Sequence, residues 1–403
     1  MILSAAGLSG SGQEESMNKL PNKLFKRSAV LALLFALLFC IGCNTVTTPN
    51  GTSETYGNRL MLATNNTAFY YDGILYWLKD TETISHKLYC IDVSTGETMP
   101  LCGKPECSHD SASCNAYIDS DGRGLVVYGE KLYWISNFSP AMYLWCSDLD
   151  GGNRQKVMEL DKDTENLTSD SKFMGIYDGK LFRCGCGSLV NEGNPIKSML
   201  LYSQPLQSGS EPTRLYYAEN VLRVFSRMSG NKLYFAIIRS DFGLELCVCD
   251  MDSGEVEVLY SDSNSEYDAQ DLLAIDDRLI LHGSGIAVYV YSITDGSLTT
   301  IGKEGCEYDY VTDSKLYDIA SRGYYRLYDM DGELISDGAI DPPGFADGNY
   351  YTHYIGCVDD TMYFMFLVYP QSNGQISLSP PQESIAAFNT ETLEWSLVFD
   401  DRE

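Results

Sequence analysis

Three cysteines and one histidine, Cys102, Cys107, His109 and Cys114, fall within thirteen residues of the segment LCGKPECSHDSASCNAY. Thiolate sulfur and imidazole nitrogen are the usual ligands of zinc, and four such groups close a tetrahedral shell. The spacing C-x4-C-x-H-x4-C is not one of the common zinc-finger spacings. A structural zinc therefore stands beside two alternatives, a disulfide between two of the cysteines with the third left over, and three free thiols. A closed Cys3His shell has no open position for a substrate, so the segment would be a staple and not a catalytic centre.

The remaining chemistry-bearing residues nominate no catalyst. Cys90, Cys146, Cys247 and Cys249 stand in repeated strands and are expected to be small core residues. Cys184 and Cys186 are one residue apart, which puts both on one face of a strand and favours packing over redox pairing. There is no G-x-S-x-G elbow, no H-E-x-x-H and no nucleotide-binding glycine loop. His86, His109, His282 and His353 are too scattered to name a base. The Asp-x-Asp turns at Asp119/Asp121, Asp148/Asp150, Asp250/Asp252 and Asp329/Asp331 resemble pieces of calcium loops but lack the downstream bidentate Glu, and hairpin turns explain them better.

One further cysteine sits in a segment of a different kind. Lys19, Lys23, Lys26 and Arg27 precede an apolar run over residues 29–41, which carries no charge and ends in Ile41-Gly42-Cys43. A run of that length suits a signal-peptide core and is short for a membrane span. The ending resembles the lipobox of bacterial lipoproteins, although Cys40 stands where leucine is usual. The resemblance implies cleavage before Cys43, lipidation of its sulfur, and anchoring on the extracytoplasmic face of the cell membrane. Met17 is the expected start, because residues 1–16 carry no signal-like feature. Residues 17–42 are then the signal peptide, and residues 43–58 a lipidated cysteine and a small, polar tether.

What must position the cysteine loop is a repeat that runs from about residue 59 to residue 403. Seven copies of one strand align, from DGILYW at 72–77 through GEKLYW at 129–134 to DDTMYF at 359–364. The matched positions are Leu75, Leu132, Leu181, Leu233, Leu279, Leu316 and Met362, spaced 37 to 57 residues apart. Each copy is followed by a second regular half such as KLYCIDVSTGETMPL at 87–101. Apolar alternation of period two, with Asp-Gly and Gly-Asn pairs at the turns, predicts hairpins. A period of about 40–50 residues per four-stranded unit is that of propeller blades. The expected fold is all-β, a propeller of about seven four-stranded blades. Whether residues 58–63 add an outer strand that latches the ring is open at this level.

With strands A to D in each blade, the tight A–B and C–D turns fall on one face, and the B–C and D–A connections on the other. The long connections are all of the second kind: B–C at 187–199 and 368–383, and D–A at 102–115, 161–171, 261–271 and 336–350. Long loops on one face of a rigid scaffold are where binding resides. The leading expectation is therefore a glycan or protein ligand on the long-loop face. A polysaccharide hydrolase or lyase with axial carboxylates and a structural envelope protein are the rivals.

Composition narrows the partners. The chain carries 28 basic against 56 acidic residues, a net charge of −28, and 44% of it is apolar. It has ample material for a large core and repels nucleic acid. A monomer is expected, tied to the membrane by its lipid. Taken together, the lipobox, the DGxLYW repeats and the loop CGKPECSHDSASCNAY resemble a family of propeller lipoproteins from anaerobic Gram-positive bacteria. That resemblance implies a propeller and surface anchoring, and no activity.

Overall fold

The computed structural model describes residues 61–62, 68–80, 86–109, 111, 113–118, 121–138, 141–160, 171–191, 194–263, 267, 269, 271–282, 288–301, 310–311, 315–320, 324–339, 350–358, 360–368, 371–372, 375–376 and 382–400. Cys43, the signal segment and the tether lie outside them. Among the described residues every element is a β-strand.

The chain enters with β1 (Met61–Leu62). Blade 1 is β2 (Ala68–Tyr71), β3 (Ile74–Asp80), β4 (His86–Asp92) and β5 (Thr98–Pro100), joined by β6 (Tyr117–Ile118). Blade 2 is β7 (Asp121–Tyr128), β8 (Lys131–Phe138), β9 (Ala141–Asp148) and β10 (Gln155–Leu160). Blade 3 is β11 (Ser171–Tyr177), β12 (Lys180–Asn191), β13 (Asn194–Pro205) and β14 (Thr213–Glu219). Blade 4 is β15 (Val221–Ser229), β16 (Lys232–Arg239), β17 (Leu244–Asp250) and β18 (Val256–Asp262). Blade 5 is β19 (Asp271–Ile275), β20 (Arg278–His282), β21 (Val288–Ser292) and β22 (Leu298–Ile301). Blade 6 is β23 (Tyr310–Val311), β24 (Lys315–Ala320), β25 (Tyr324–Asp329) and β26 (Leu334–Ala339). Blade 7 is β27 (Tyr350–Val358), β28 (Thr361–Val368), β31 (Gln382–Asn389) and β32 (Glu394–Asp400), with a small hairpin, β29 (Gln371–Ser372) and β30 (Gln375–Ile376), in its B–C connection. The protein is a seven-bladed β-propeller, as the repeat predicts.

The turns form where the sequence supplies residues that tolerate positive φ. Asp72 and Gly73 sit at 47° and 81° between β2 and β3, and Asp178 and Gly179 at 44° and 68° between β11 and β12. The last turn departs from the pattern. NTETLEW has no glycine, and Leu393 takes the left-handed conformation at φ 60°.

Neighbouring A strands meet around the axis, β27 with β2, β2 with β7, β7 with β11, β11 with β15, and β15 with β19. Between blades lie apolar seams built from alternate strand residues. At the closing seam Ala68, Trp77 and Ile91 of blade 1 pack with Ile355, Tyr363 and Ile385 of blade 7. No strand is exchanged there, because blade 7 takes all four of its main strands from the C-terminal end. The N-terminal segment still contributes, since Met61 and Leu62 pair with Cys357 and Gly356 of β27. The latch thus lies on the inner strand of blade 7, not on its outer one.

Two of the long connections differ from expectation. Residues 187–199 are no loop: β12 and β13 pair from Lys180↔Pro205 out to Asn191↔Asn194. Their flanking strands reach only to Gly185 on one side and Ser198 on the other, so the end of this hairpin extends as a two-stranded arm. The cysteine loop, in turn, is not a D–A connection. It interrupts strand D of blade 1, whose first piece pairs β5 with β4 through Tyr89↔Pro100, and whose second pairs β6 with β4 through His86↔Ile118. Of the 336–350 connection, β26 takes the part up to Ala339.

Candidate metal centre

The loop is pinched at its base by one residue. The amide of Leu101 donates to the carbonyl of Leu88 at 2.8 Å, and the amide of Leu88 donates to the carbonyl of Ala116 at 2.8 Å. Between these points the described backbone makes turns, with the amides of Cys107 and Cys114 donating to the carbonyls of Lys104 (3.2 Å) and Ser111 (2.9 Å). Lys104 Nζ ties the two arms together by donating to the carbonyl of Ser113 at 2.5 Å.

Inside this frame the four predicted side chains converge. The ligand atoms of Cys102, Cys107, His109 and Cys114 all lie within 4.8 Å of one another. His109 Nδ1 is 3.4 Å from Cys114 Sγ, and His109 reaches it from a left-handed backbone conformation at φ 58°. Cys114 is buried, 2% exposed, while the other three are half-buried. All three cysteines are free thiols, as are the other described cysteines, so the disulfide reading has no support in the geometry.

The two outer cysteines differ electrostatically. Burial pushes the Cys114 thiol up to about 11, although the amide of Ala116 opposes it, and the Cys102 and Cys107 thiols add to the rise. At Cys102 burial also acts upward, but the amides of Lys104 and Asn115 and the Cys114 and Cys107 thiols outweigh it and bring the thiol below its ordinary value. Each sulfur thus accepts from the amide two residues on, Lys104 for Cys102 and Ala116 for Cys114. Such donors stabilise the thiolates that a metal requires. The donor set of three sulfurs and one nitrogen suits zinc, and the four residues present fill its tetrahedral shell.

The centre sits on a seam. Leu101, Cys114, Ala116 and Ile118 are buried in one cluster with Trp134 and Leu144 of blade 2. A Cβ at Gly151, in the C–D turn of blade 2, would lie 2.2 Å from the carbonyl oxygen of Leu101, so only glycine fits there. Arg154 of the same turn donates to the carbonyl of Tyr117 and lies over the rings of Trp134 and Trp145, 5.6 and 5.0 Å from their centroids.

Elsewhere the structure redistributes the sequence candidates. Cys184, Cys186, Cys247 and Cys249 are all buried in one apolar cluster between blades 3 and 4, as the core reading expects, whereas Cys90 is only half-buried. The first carboxylate of two of the Asp-x-Asp pairs serves its own turn, while Asp252 accepts from the Tyr177 hydroxyl of blade 3 and from Asn231. Asp250 Oδ1 accepts from the amides of Asp252 and Ser253, and Asp329 Oδ1 from those of Asp331 and Glu333. Asp121 opens β7, and Asp119 lies outside the described residues.

The carboxyls of Asp92, Asp148, Asp250, Asp295 and Glu245 are lowered. Glu245 is the most enclosed of them. Burial raises it, but the Tyr216 hydroxyl and the Arg239 guanidinium outweigh burial and hold it low. These groups form a polar lock between blades 3 and 4, with Arg239 Nη2 2.6 Å from Glu245 Oε2 and Arg239 Nη1 donating to the carbonyl of Glu219 at 2.7 Å. Sequence reasoning missed it because Tyr216 and Glu245 belong to different blades. The repeated Lys at the start of strand B was a usable signal for a related pair. Lys131 meets Asp148, and Lys232 meets Asp250, each at 2.6 Å across the B–C strand pair.

No protein-family model matches the sequence, and no curated protein matches it. Solved structures share the fold. An acylaminoacyl peptidase in complex with Z-Gly-Gly-Phe-chloromethyl ketone aligns with TM-score 0.50 and 13% identity, over 85% of this chain and 52% of its own. A prolyl endopeptidase aligns with TM-score 0.52 and 13% identity, over 85% and 50%. A puromycin hydrolase aligns with TM-score 0.50 and 11% identity, over 84% and 53%. This chain therefore spans about half the length of the structures it matches. At such identities the likeness is one of fold. Fold and site together define a seven-bladed propeller with a Cys3His cluster at the seam between its first two blades.

Proposed function

We propose that this protein is a lipid-anchored, extracytoplasmic propeller that binds a glycan or protein partner on its long-loop face, with a structural zinc held by Cys102, Cys107, His109 and Cys114. The observation that carries the binding reading is the asymmetry of the ring. One end has short turns, two residues in A–B turns such as Asp72-Gly73 and four to seven in the C–D turns, whereas the β12–β13 arm extends from the other end. The chain enters opposite Cys357, near the tight-turn end of β27, which leaves the long-loop face clear of the point of entry. The peptidase and hydrolase activities of the structural relatives stay with those proteins.

The test measures binding of the purified chain to cell-envelope polysaccharides and to surface proteins. A variant in which residues 188–197 are replaced by a two-residue turn is compared with the wild type. Loss of binding by tenfold or more with an unchanged melting temperature supports the proposal. Release of new reducing ends from a polysaccharide would establish the enzymatic rival. Equal binding by both proteins would remove the arm from the account.

A further inference from the structure

Six blades carry strand D as one continuous strand, and blade 1 does not. Its outer edge is split into β5, of three residues, and β6, of two, with residues 101–116 between them. Strands so short hold few ladder hydrogen bonds. Yet the residues at the break are among the best buried of the seam, with Leu101, Ala116 and Ile118 packed in the cluster that includes Trp134. Both ends of the break hydrogen-bond to Leu88, and blade 2 closes on them through Gly151 and Arg154. Among the described residues its backbone–backbone bonds are of the turn type, and its two arms are joined by Lys104 Nζ donating to the Ser113 carbonyl and by the Asn115 amide at the Cys102 sulfur, so single polar contacts and not a ladder set the distance between its two ends. Cys102 and Cys114 stand at those two ends, and their sulfurs belong to the cluster whose ligand atoms lie within 4.8 Å.

We infer that the metal is the clamp of the seam between blades 1 and 2. Linking Cys102 to Cys114 through one ion closes the excursion at its base. That removes the loop-closure entropy otherwise lost on docking β5 and β6 against β4. Metal binding and seam closure are then two sides of one equilibrium. Removing the ion opens blade 1's outer edge and the adjoining blade 2 turn, while blades 4 and 5, which share no residue with the loop, stay closed. The inference rests on the metal reading given above and adds the consequence of occupancy.

Hydrogen exchange of the full chain, read by mass spectrometry, tests it. The protein is compared as purified with one equivalent of zinc and after treatment with a strong chelator, with zinc content measured on the same samples. Exchange at the amides of Leu88 and Leu101 should rise by tenfold or more on chelation, while the β16–β17 ladder, such as Phe235↔Cys247, stays unchanged. Cys107→Ser should show fast seam exchange whether or not zinc is added. If that variant does not fold, the chelator comparison on the wild type carries the test alone. Zinc that leaves without any change at Leu88 and Leu101 would overturn the clamp and leave the metal site standing. A protein that takes up no zinc would overturn the metal reading and the clamp with it. Exchange that rises equally in all blades would also overturn the local clamp.

Discussion

His109 Nδ1 and Cys114 Sγ stand 3.4 Å apart, across a loop that has no regular secondary structure. Two ligands of one zinc, at about 2.3 Å for sulfur and about 2.0–2.1 Å for nitrogen, subtend about 3.6 Å at the tetrahedral angle. That separation also suits a hydrogen bond between the two, and His109 takes φ 58° in reaching Cys114. A metal bound there would take the pair as one edge of its coordination tetrahedron.

The centre should bind one zinc per chain, measured by elemental analysis of protein purified without chelator. Cobalt should replace the zinc and give the strong visible bands of a tetrahedral thiolate site. Cys107→Ser or His109→Ala should lower metal affinity by about 100-fold or more, given that loss of outer-shell partners alone costs about 10–100-fold. Octahedral cobalt spectra would count against the site.

Gly151 offers a test of the seam that involves no ligand. Gly151→Ala places a methyl 2.2 Å from the Leu101 carbonyl oxygen at φ 78°, whereas Gly209→Ala at φ 76° meets nothing within 4 Å. The left-handed backbone costs each variant about 1–2 kcal/mol. Overpacking adds about 1–3 kcal/mol at Gly151 alone. Urea midpoints should rank wild type, Gly209→Ala, then Gly151→Ala, and equal midpoints for the two variants would contradict the packing described.

His282 predicts the direction of the acid response. It is fully buried, and its Nδ1 has no hydrogen-bond partner. Burial lowers its pKa, Asp271 opposes that shift, and Arg227 reinforces it. With the folded value below the unfolded value of about 6.5, the unfolded chain binds the proton first. Its contribution is complete above about pH 6.5 and declines as pH falls toward the folded pKa. Unfolding midpoints measured from pH 8 to 5 should fall less steeply for His282→Leu than for the wild type. Parallel curves would show that another group sets the slope.

Anchoring is tested at Cys43. A fatty-acid probe supplied to producing cells should label the wild type, and Cys43→Ala should yield unlabelled protein. Label that persists in the variant would remove the lipid anchor from the proposed function.

The repeat, the blade number and the grouping of Cys102, Cys107, His109 and Cys114 were legible in the sequence because each rests on local chemistry. Period-two alternation around Leu75, Leu132 and the other matched positions needs only the pleat of a strand, and these residues are buried in every blade. Asp72-Gly73 and Asp178-Gly179 form their turns through φ preferences that belong to the residues themselves. The cysteine spacing was enough to expect that the four side chains meet, since four donors within thirteen residues can be drawn together by a single loop.

Only the tertiary structure decided what those segments join. A stretch between two repeat strands looks the same in sequence whether it links blades, interrupts a strand or pairs with itself. The difference lies in hydrogen bonds to residues far along the chain. Residues 102–115 became an interruption because Leu88 accepts one end and donates to the other. Residues 187–199 became part of an arm because β12 continues to pair with β13 after β11 and β14 have stopped. The Tyr216–Glu245–Arg239 lock and the fit of Gly151 against Leu101 likewise depend on which blade follows which around the ring. Period and turn chemistry act within a few residues, whereas register and seams are set by closing the whole circle, and that is a property no single segment carries.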